Sequence, residues 1–299
     1  MNDYYNKKEL YDLSKKFNSM TYRKNQWFGK SWCAYGDSIT AMSYNKTYGW
    51  TNYVDNEFGL NPCIVRGVGG TKFAWGNGGG CAVPIDKDGN YGSRDENYTK
   101  DTYPTSQIPS GYTITRGCLS SWDRIVKSFP ESIKDTIDLV FVFGGANDDG
   151  DSTEPLFVVS DTTDIEWASS SYYAKYGGDY NINTMMGGMA SCLMKLQAWM
   201  PNATIVYGVP FLCGRGEEDM TSIVTDLNPT MWSQSRLLEI VAKKCGFPII
   251  DVYAESGVNG WNRLEYVADI IHPTRSGMMM IGKAICNGLA GINPRMTVL

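Results

Sequence analysis

Histidine is almost absent from this 299-residue chain, and His272 is the only one. A metal centre built on several imidazoles is therefore excluded, and any acid/base chemistry that uses imidazole at neutral pH must use this residue. The eight cysteines (Cys33, Cys63, Cys81, Cys118, Cys192, Cys213, Cys245, Cys286) include no C-x-x-C pair, so they do not have the spacing of a zinc site. Neither a metal nor another cofactor is expected. Most of the cysteines read as reduced, buried, small hydrophobes. Cys81 and Cys118 bracket a loop-like region and are the pair to join if the chain meets an oxidising compartment.

Two further absences narrow the partners. With 27 Lys and Arg against 32 Asp and Glu, a net charge of -5 and a pI near 5.1, the chain lacks the basic footprint of a nucleic-acid binder. No apolar run is long enough to span a bilayer, no basic amphipathic helix suits a membrane surface, and Met1 to Lys8 lacks the apolar core of a signal peptide. The expectation is a cytoplasmic protein with neither nucleic-acid nor membrane partners. Delivery within a larger extracellular assembly stays open, as does the oligomeric state.

What is present is ordinary globular material, 42% hydrophobic and 20% charged, in a length that buries a full core. Five short apolar runs read as buried parallel strands: Trp32 to Tyr35, Cys63 to Val65, Leu139 to Phe143, Thr204 to Val209 and Pro248 to Val252. Helical patterns follow them. One covers about 184–200, with Met185, Met189, Cys192, Leu193, Leu196 and Met200 on one face and Pro201 as its stop. Another covers about 229–245 and ends at Gly246, while a last helix begins near Thr274 or Arg275. Strands alternating with helices predict an α/β sandwich with a parallel sheet covered on both faces, and such sheets bind ligands beyond the carboxyl ends of their strands.

Residues 1–26 read as a polar, helical lead with an apolar stripe at Leu10, Leu13, Phe17 and Met20, and 27–299 as one domain. Insertions at about 71–117 and 148–179 follow strand ends, which places both on the rim of the binding face. Asp86 to Asn90 has some calcium-loop character but reads as a turn.

The chemistry-bearing residues also cluster at strand ends. Gly36-Asp37-Ser38-Ile39-Thr40 follows the first strand and presents a hydroxyl at a sharp turn. Thr40 stands where the G-x-S-x-G elbow of α/β-hydrolases has its second glycine. Arg66-Gly67-Val68-Gly69-Gly70-Thr71-Lys72 follows the second strand, and its glycines allow a main-chain N–H to approach a developing oxyanion. Lys72 falls where neither a phosphate-binding P-loop nor a dinucleotide fingerprint would place it. Gly144-Gly145-Ala146-Asn147-Asp148 follows the third strand, and Asp269-Ile270-Ile271-His272-Pro273 precedes the last helix. In that segment, the aspartate can fold back to hold the Nδ1 proton of His272.

These four blocks, in this order from about Trp27 to Leu289, resemble the SGNH hydrolase superfamily, also called GDSL esterases and lipases. The resemblance implies a three-layer α/β/α sandwich with a central parallel five-stranded sheet in flavodoxin-like order, and makes 27–299 a catalytic domain. It implies Ser38 as nucleophile, His272 as base and Asp269 as its orienter. The oxyanion hole would be the Ser38 N–H, the Gly70 N–H and the Asn147 side chain, with Gly69 as the neighbouring alternative to Gly70.

The expected activity is hydrolysis of small-molecule or glycan esters. The nine Trp and 19 Tyr, many in the rim segments, tilt the expectation toward O-acetyl esters of carbohydrate, because flat amphipathic rings suit sugar faces. Trp75 and Arg275 are the candidate substrate contacts. The alternatives are a lipase or thioesterase acting on longer acyl esters, and a glycan-binding module without turnover.

Overall fold

The computed structural model describes residues 25–44, 47–74, 82–86, 106, 108, 110–116, 118–148, 180, 185–211, 231–259, 261–269 and 271–295. The predicted helix of the N-terminal lead, Trp75 and Cys81 lie outside the described residues, as does all of the 148–179 insertion except Asp148.

The sheet is built from β1 (Trp32–Gly36), β2 (Ile64–Gly67), β5 (Leu139–Phe143), β6 (Thr204–Gly208) and β7 (Ile249–Ile250). They lie in the order β2-β1-β5-β6-β7 with every pair parallel. Every residue of β1, β5 and β6 is buried, which explains why they read as continuous apolar runs rather than alternating ones.

Alternation along each strand divides the core in two. Cys33, Tyr35, Val140, Val142, Ile205 and Tyr207 face α3 (Trp122–Ser128), α5 (Met185–Trp199) and α6 (Met231–Lys244). Trp32, Ala34, Leu139, Phe141, Phe143 and Val206 face α2 (Trp50–Phe58) and α9 (Arg275–Leu289). The result is the three-layer α/β/α sandwich with a parallel five-stranded sheet that the sequence predicts. Trp50 anchors the second layer, with its ring edge-on to Phe141 and Phe143 at 5.7 Å in each case and its indole N–H donating to the Ile39 carbonyl.

Helix ends follow local chemistry. The Thr274 hydroxyl accepts from the Gly277 N–H and starts α9, and Gly246 takes the left-handed conformation (φ +77°) just beyond α6. The described residues also include four short α-helical turns, α1 (Ser38–Ala41), α4 (Glu131–Lys134), α7 (Val252–Glu255) and α8 (Arg263–Tyr266), and a 3-10 turn at Met42–Tyr44.

The structure departs from the sequence reading in three places. The 71–117 segment contains an antiparallel hairpin, β3 (Ala82–Asp86) and β4 (Tyr112–Arg116), whose strands are too short and too far apart in sequence to show a hairpin signal. Asp86, the first residue of the weak calcium-loop pattern, is the last residue of β3. The last sheet strand shrinks to Ile249–Ile250 because Asp251 caps α7 by accepting from the Ala254 N–H. Finally, α5 is buried well beyond its predicted face: Met186, Gly187, Gly188, Ala190, Ser191 and Lys195 are buried too. Gly188 lies so close to the Phe73 backbone that a Cβ would stand 2.3 Å from its carbonyl oxygen, so a second layer of chain covers what looked like the outer face.

Among the described residues, Cys33, Cys63, Cys192, Cys245 and Cys286 are unpaired thiols, and burial pushes Cys245 and Cys286 up to about 12. No helix among the described residues is long and apolar enough to cross a membrane.

The joint between β1 and β5 is the tightest in the sheet. A Cβ on Gly36 would sit 1.8 Å from the Phe143 carbonyl oxygen and 2.3 Å from the Thr40 hydroxyl. Gly36→Ala should therefore destabilise the fold by about 3 kcal/mol or more, measured by chemical denaturation, because neither backbone nor buried side chain can yield. An unchanged midpoint would show that the joint is looser than described.

Candidate active site

Three chain segments meet at the carboxyl ends of β1, β2 and β5. The first leaves β1 at Gly36 and turns at once into α1. Asp37 caps that turn, its carboxylate accepting from the Ile39 N–H at 3.0 Å, and Ser38 becomes the first helical residue. The Thr40 hydroxyl donates to the Phe143 carbonyl at 2.9 Å and pins α1 to the end of β5. A residue with a buried hydroxyl is thus required at the position where an α/β-hydrolase elbow has glycine.

The second segment runs from Val68 to Ala74 and is fastened at several points. The Val68 N–H donates to the Gly36 carbonyl, and the Thr71 hydroxyl donates to the Val68 carbonyl. Asp148, buried, accepts from the Phe73 N–H through both oxygens (3.1 and 2.9 Å) and from the Ala74 N–H (3.0 Å). Gly70 is left-handed (φ +68°), and the Gly69 backbone faces Ser38, where a Cβ would lie 3.7 Å from the Ser38 Cβ. The third segment brings Asn147, whose side-chain amide donates to the Thr71 carbonyl at 3.1 Å and leaves one N–H for another acceptor.

The last contribution comes from the loop before α9. The Ala268 N–H donates to the His272 carbonyl at 2.7 Å, and Val267 bridges to Pro273, folding the loop back on itself. Asp269 lies inside this fold. Its Oδ1 accepts from the Ile271 and His272 N–H groups at 2.7 Å each, and its Oδ2 lies 2.8 Å from His272 Nδ1. On the far side of the ring, Nε2 lies 2.9 Å from Ser38 Oγ. With Nδ1–H donated to the carboxylate, the Nε2 lone pair accepts the serine proton.

The predicted residues Ser38, Asp269 and His272 therefore form one hydrogen-bonded chain, with Gly69, Gly70 and Asn147 on the segments around it. Arg275 opens α9 three residues after His272, exposed, with its guanidinium 4.7 Å from the centre of the Tyr48 ring. Among the described residues no group of three or more His, Cys, Asp or Glu side chains is placed to hold a metal ion.

The two carboxylates near His272 differ in character. Asp269 is largely exposed; burial is the largest single influence and pushes it up, but the His272 and Ile271 N–H groups and the ring together outweigh it and hold it down to about 2. Asp37 is buried, and burial pushes it up to about 6 against the Ile39 N–H and the charges of Arg124 and His272. The Ala146 N–H also acts to lower it, as the weakest of these influences.

Asp148, Arg124 and the buried state of Asp37 escaped the sequence reading. Asp148 is given no role of its own by the sequence, because a carboxylate that binds N–H groups some 75 residues away leaves no local pattern. Arg124 lies in a short, otherwise unremarkable helix, yet it is buried, donates to the Gly36 carbonyl at 2.7 Å and stacks over Tyr35 at 4.8 Å.

Neither family models nor curated proteins match the chain. Solved structures do. One crystal structure has a TM-score of 0.55 at 19% identity, covering 90% of this chain and 99% of that one. A protein from Lactobacillus plantarum has a TM-score of 0.51 at 17% identity, covering 88% and 97%. An acetylxylan esterase from Geobacillus stearothermophilus matches at a TM-score of 0.46 and 15% identity, covering 90% and 97%. Likeness at these identities bears on the fold alone.

The buried charge on Asp37 should be visible in stability. A carboxyl raised to about 6 binds protons more readily folded than unfolded, so the fold loses stability as pH rises from the unfolded value through 6. Asp37→Asn, which keeps a capping oxygen, should then gain on wild type by up to about 3 kcal/mol at pH 8 and lose that advantage near pH 4. Urea melts at the two pH values test it, and a pH-independent difference would refute the assignment.

Proposed function

We propose that this chain, whose fold is that of the SGNH hydrolases, is a serine esterase. The observation that carries the proposal is the unbroken hydrogen-bonded chain from Asp269 through His272 to Ser38, at 2.8 and 2.9 Å. In this reading 27–299 is the catalytic domain.

The reaction follows from the donors and acceptors. His272 Nε2 takes the Ser38 proton as Oγ bonds to the ester carbonyl carbon, and Asp269 balances the imidazolium. The carbonyl oxygen becomes an oxyanion, held by the Ser38 and Gly70 N–H groups and by the Asn147 amide hydrogen that Thr71 leaves free. The ester C–O bond then breaks, His272 protonates the leaving alcohol, and an acyl-serine remains. Water, deprotonated by the same nitrogen, attacks the acyl carbon, and the tetrahedral intermediate collapses to free acid and restored Ser38.

The substrate class is assigned to O-acetyl esters of carbohydrate. The aromatic content of the 71–117 and 148–179 insertions supports this, since both follow strand ends that carry the site, and Trp75 lies five residues after Gly70.

Ser38→Ala and His272→Ala should each reduce turnover to background, because the chain works as a unit and no second histidine can replace His272. Asn147→Ala should lower kcat by about 10² to 10³ while leaving KM nearly unchanged. The assay is acetate release from acetylated xylo-oligosaccharides, with 4-nitrophenyl esters of increasing chain length in parallel. A peak at long acyl chains without acetyl release would replace the carbohydrate reading with a lipase or thioesterase. Failure of a fluorophosphonate to label Ser38 would leave a binding module.

A further inference from the structure

Beside the catalytic face, along the free edge of the sheet, lies a cavity of about 870 Å³ between β2 and α2. Its volume falls in the range of small-molecule sites. One end is closed by Ala41, the last residue of the turn that begins with Ser38, and by Tyr44. The cavity thus begins about one helical turn from the serine and runs away from it along the strand. We propose that this groove binds a neutral polyhydroxylated chain, the carbohydrate that bears the ester. This rests on the carbohydrate esterase reading given above.

The charged groups in the groove are already committed. Asp55 accepts from the Trp32 indole N–H at 2.6 Å and from the Cys63 N–H at 3.2 Å. Arg66 donates through Nε to the Ser128 carbonyl at 3.0 Å and through Nη1 to its neighbour, the Val65 carbonyl. Each group is partly engaged, and a lining with one carboxylate and one guanidinium of opposite charge offers no cluster of either sign for a phosphate or a divalent cation.

Beside these two charged groups stand neutral ones without partners among the described residues. Asn52 and Asn56 lie four residues apart on α2, so both amides stand on one face of the helix, over the groove. Neither makes a hydrogen bond among the described residues, although Asn52 is half-buried and an amide removed from water without a partner carries a cost. On the opposite wall, the Val68 N–H points to Gly36, and alternation along a parallel strand turns the backbone groups of Gly67 the other way, toward the cavity; Val65 shares that direction, but its carbonyl is taken by Arg66. Tyr44 is 72% exposed at the closed end and presents an amphipathic ring beside these donors and acceptors. Paired amide donors and acceptors, free backbone groups and one aromatic face match the hydroxyls and flat apolar faces of sugar rings.

The test uses full-length Ser38→Ala protein, so that no ester turns over, with unacetylated xylohexaose and cellohexaose as probes. Saturable NMR shifts of the Asn52 and Asn56 side-chain amides are expected with at least one of the two sugars. Asn52→Ala/Asn56→Ala in the same background should weaken that affinity about tenfold at an unchanged melting temperature, as for the loss of two hydrogen bonds. Tyr44→Ala, which alters an exposed ring, provides a second variant and should also weaken binding.

Binding of neither sugar, or equal binding by the parent and both variants, overturns the groove assignment. The two readings fail separately. If wild-type protein hydrolyses no ester while the sugar still binds through Asn52 and Asn56, the groove stands and the esterase falls. If wild type releases acetate but the hexasaccharides do not bind, the esterase stands and the groove falls.

Discussion

The candidate site depends on the close approach of Gly36 to the Phe143 carbonyl, which leaves no room for a side chain. That carbonyl accepts from the Thr40 hydroxyl at 2.9 Å and from the Asp37 N–H at 3.4 Å, so the end of one strand is tied to the helical turn that leaves its neighbour. Because β1 and β5 meet without a side chain between them, the chain can reverse into α1 within one residue and set the Ser38 hydroxyl above the sheet. The Gly36 carbonyl extends the same junction by accepting from the Val68 N–H and from Arg124. Segments from β1, β2, β5 and α3 are therefore held around a single glycine, and the serine and the glycine-rich turn cannot move independently.

This junction is charged where most of the core is not. Arg124 and Lys195 are both buried and both donate to main-chain carbonyls, Gly36 and Ser120 respectively, while Asp37 is a buried carboxyl beside the nucleophile turn. Burial drives Lys195 down, as it drives Asp37 up. Replacing Arg124 or Lys195 alone by an apolar side chain would leave the Gly36 or Ser120 carbonyl short of a donor inside the core, which is the expensive case. A cation behind the turn and a carboxyl within it also set the field beside Ser38 and His272, where the proposed reaction would form an imidazolium. Asp269, by contrast, faces water and keeps its charge through local N–H donors, so its ionisation depends on loop geometry and not on core packing.

The legible part of the molecule was the part encoded locally. Continuous apolar runs located β1, β5 and β6 because both sheet faces are covered, and Gly246 and Thr274 marked helix ends through capping chemistry. The four blocks carried the candidate site because each lies within a few residues of a strand or helix end. The unreadable part was encoded at a distance. The burial of α5 depends on the Lys72 to Ala74 segment crossing it, and the short β3–β4 pairing joins strands separated by a long connection. Arg124 could not be identified as buried from its own neighbours, since its partners, Tyr35 and Gly36, lie some 88 residues earlier.

Asp148 shows why a four-block pattern can be more specific than its pieces. It is adjacent to Asn147 in sequence, yet the two side chains bind different ends of the same loop. Asn147 holds the Thr71 carbonyl, and Asp148 holds the Phe73 and Ala74 N–H groups, so adjacent residues after β5 grip both sides of the segment after β2. Gly70, left-handed and with no side chain of its own to anchor it, lies just before that grip. The position of its N–H is consequently set by a carboxylate buried on another strand end, with several short donors to a single charge holding the loop. An oxyanion donor needs to be fixed before the oxyanion forms, because reorganisation during the reaction would consume the stabilisation it provides. In the proposed reaction, Asn-Asp after β5 would therefore be one device with two functions, an amide that can face the reacting group and a carboxylate that fixes the segment carrying the Gly70 N–H.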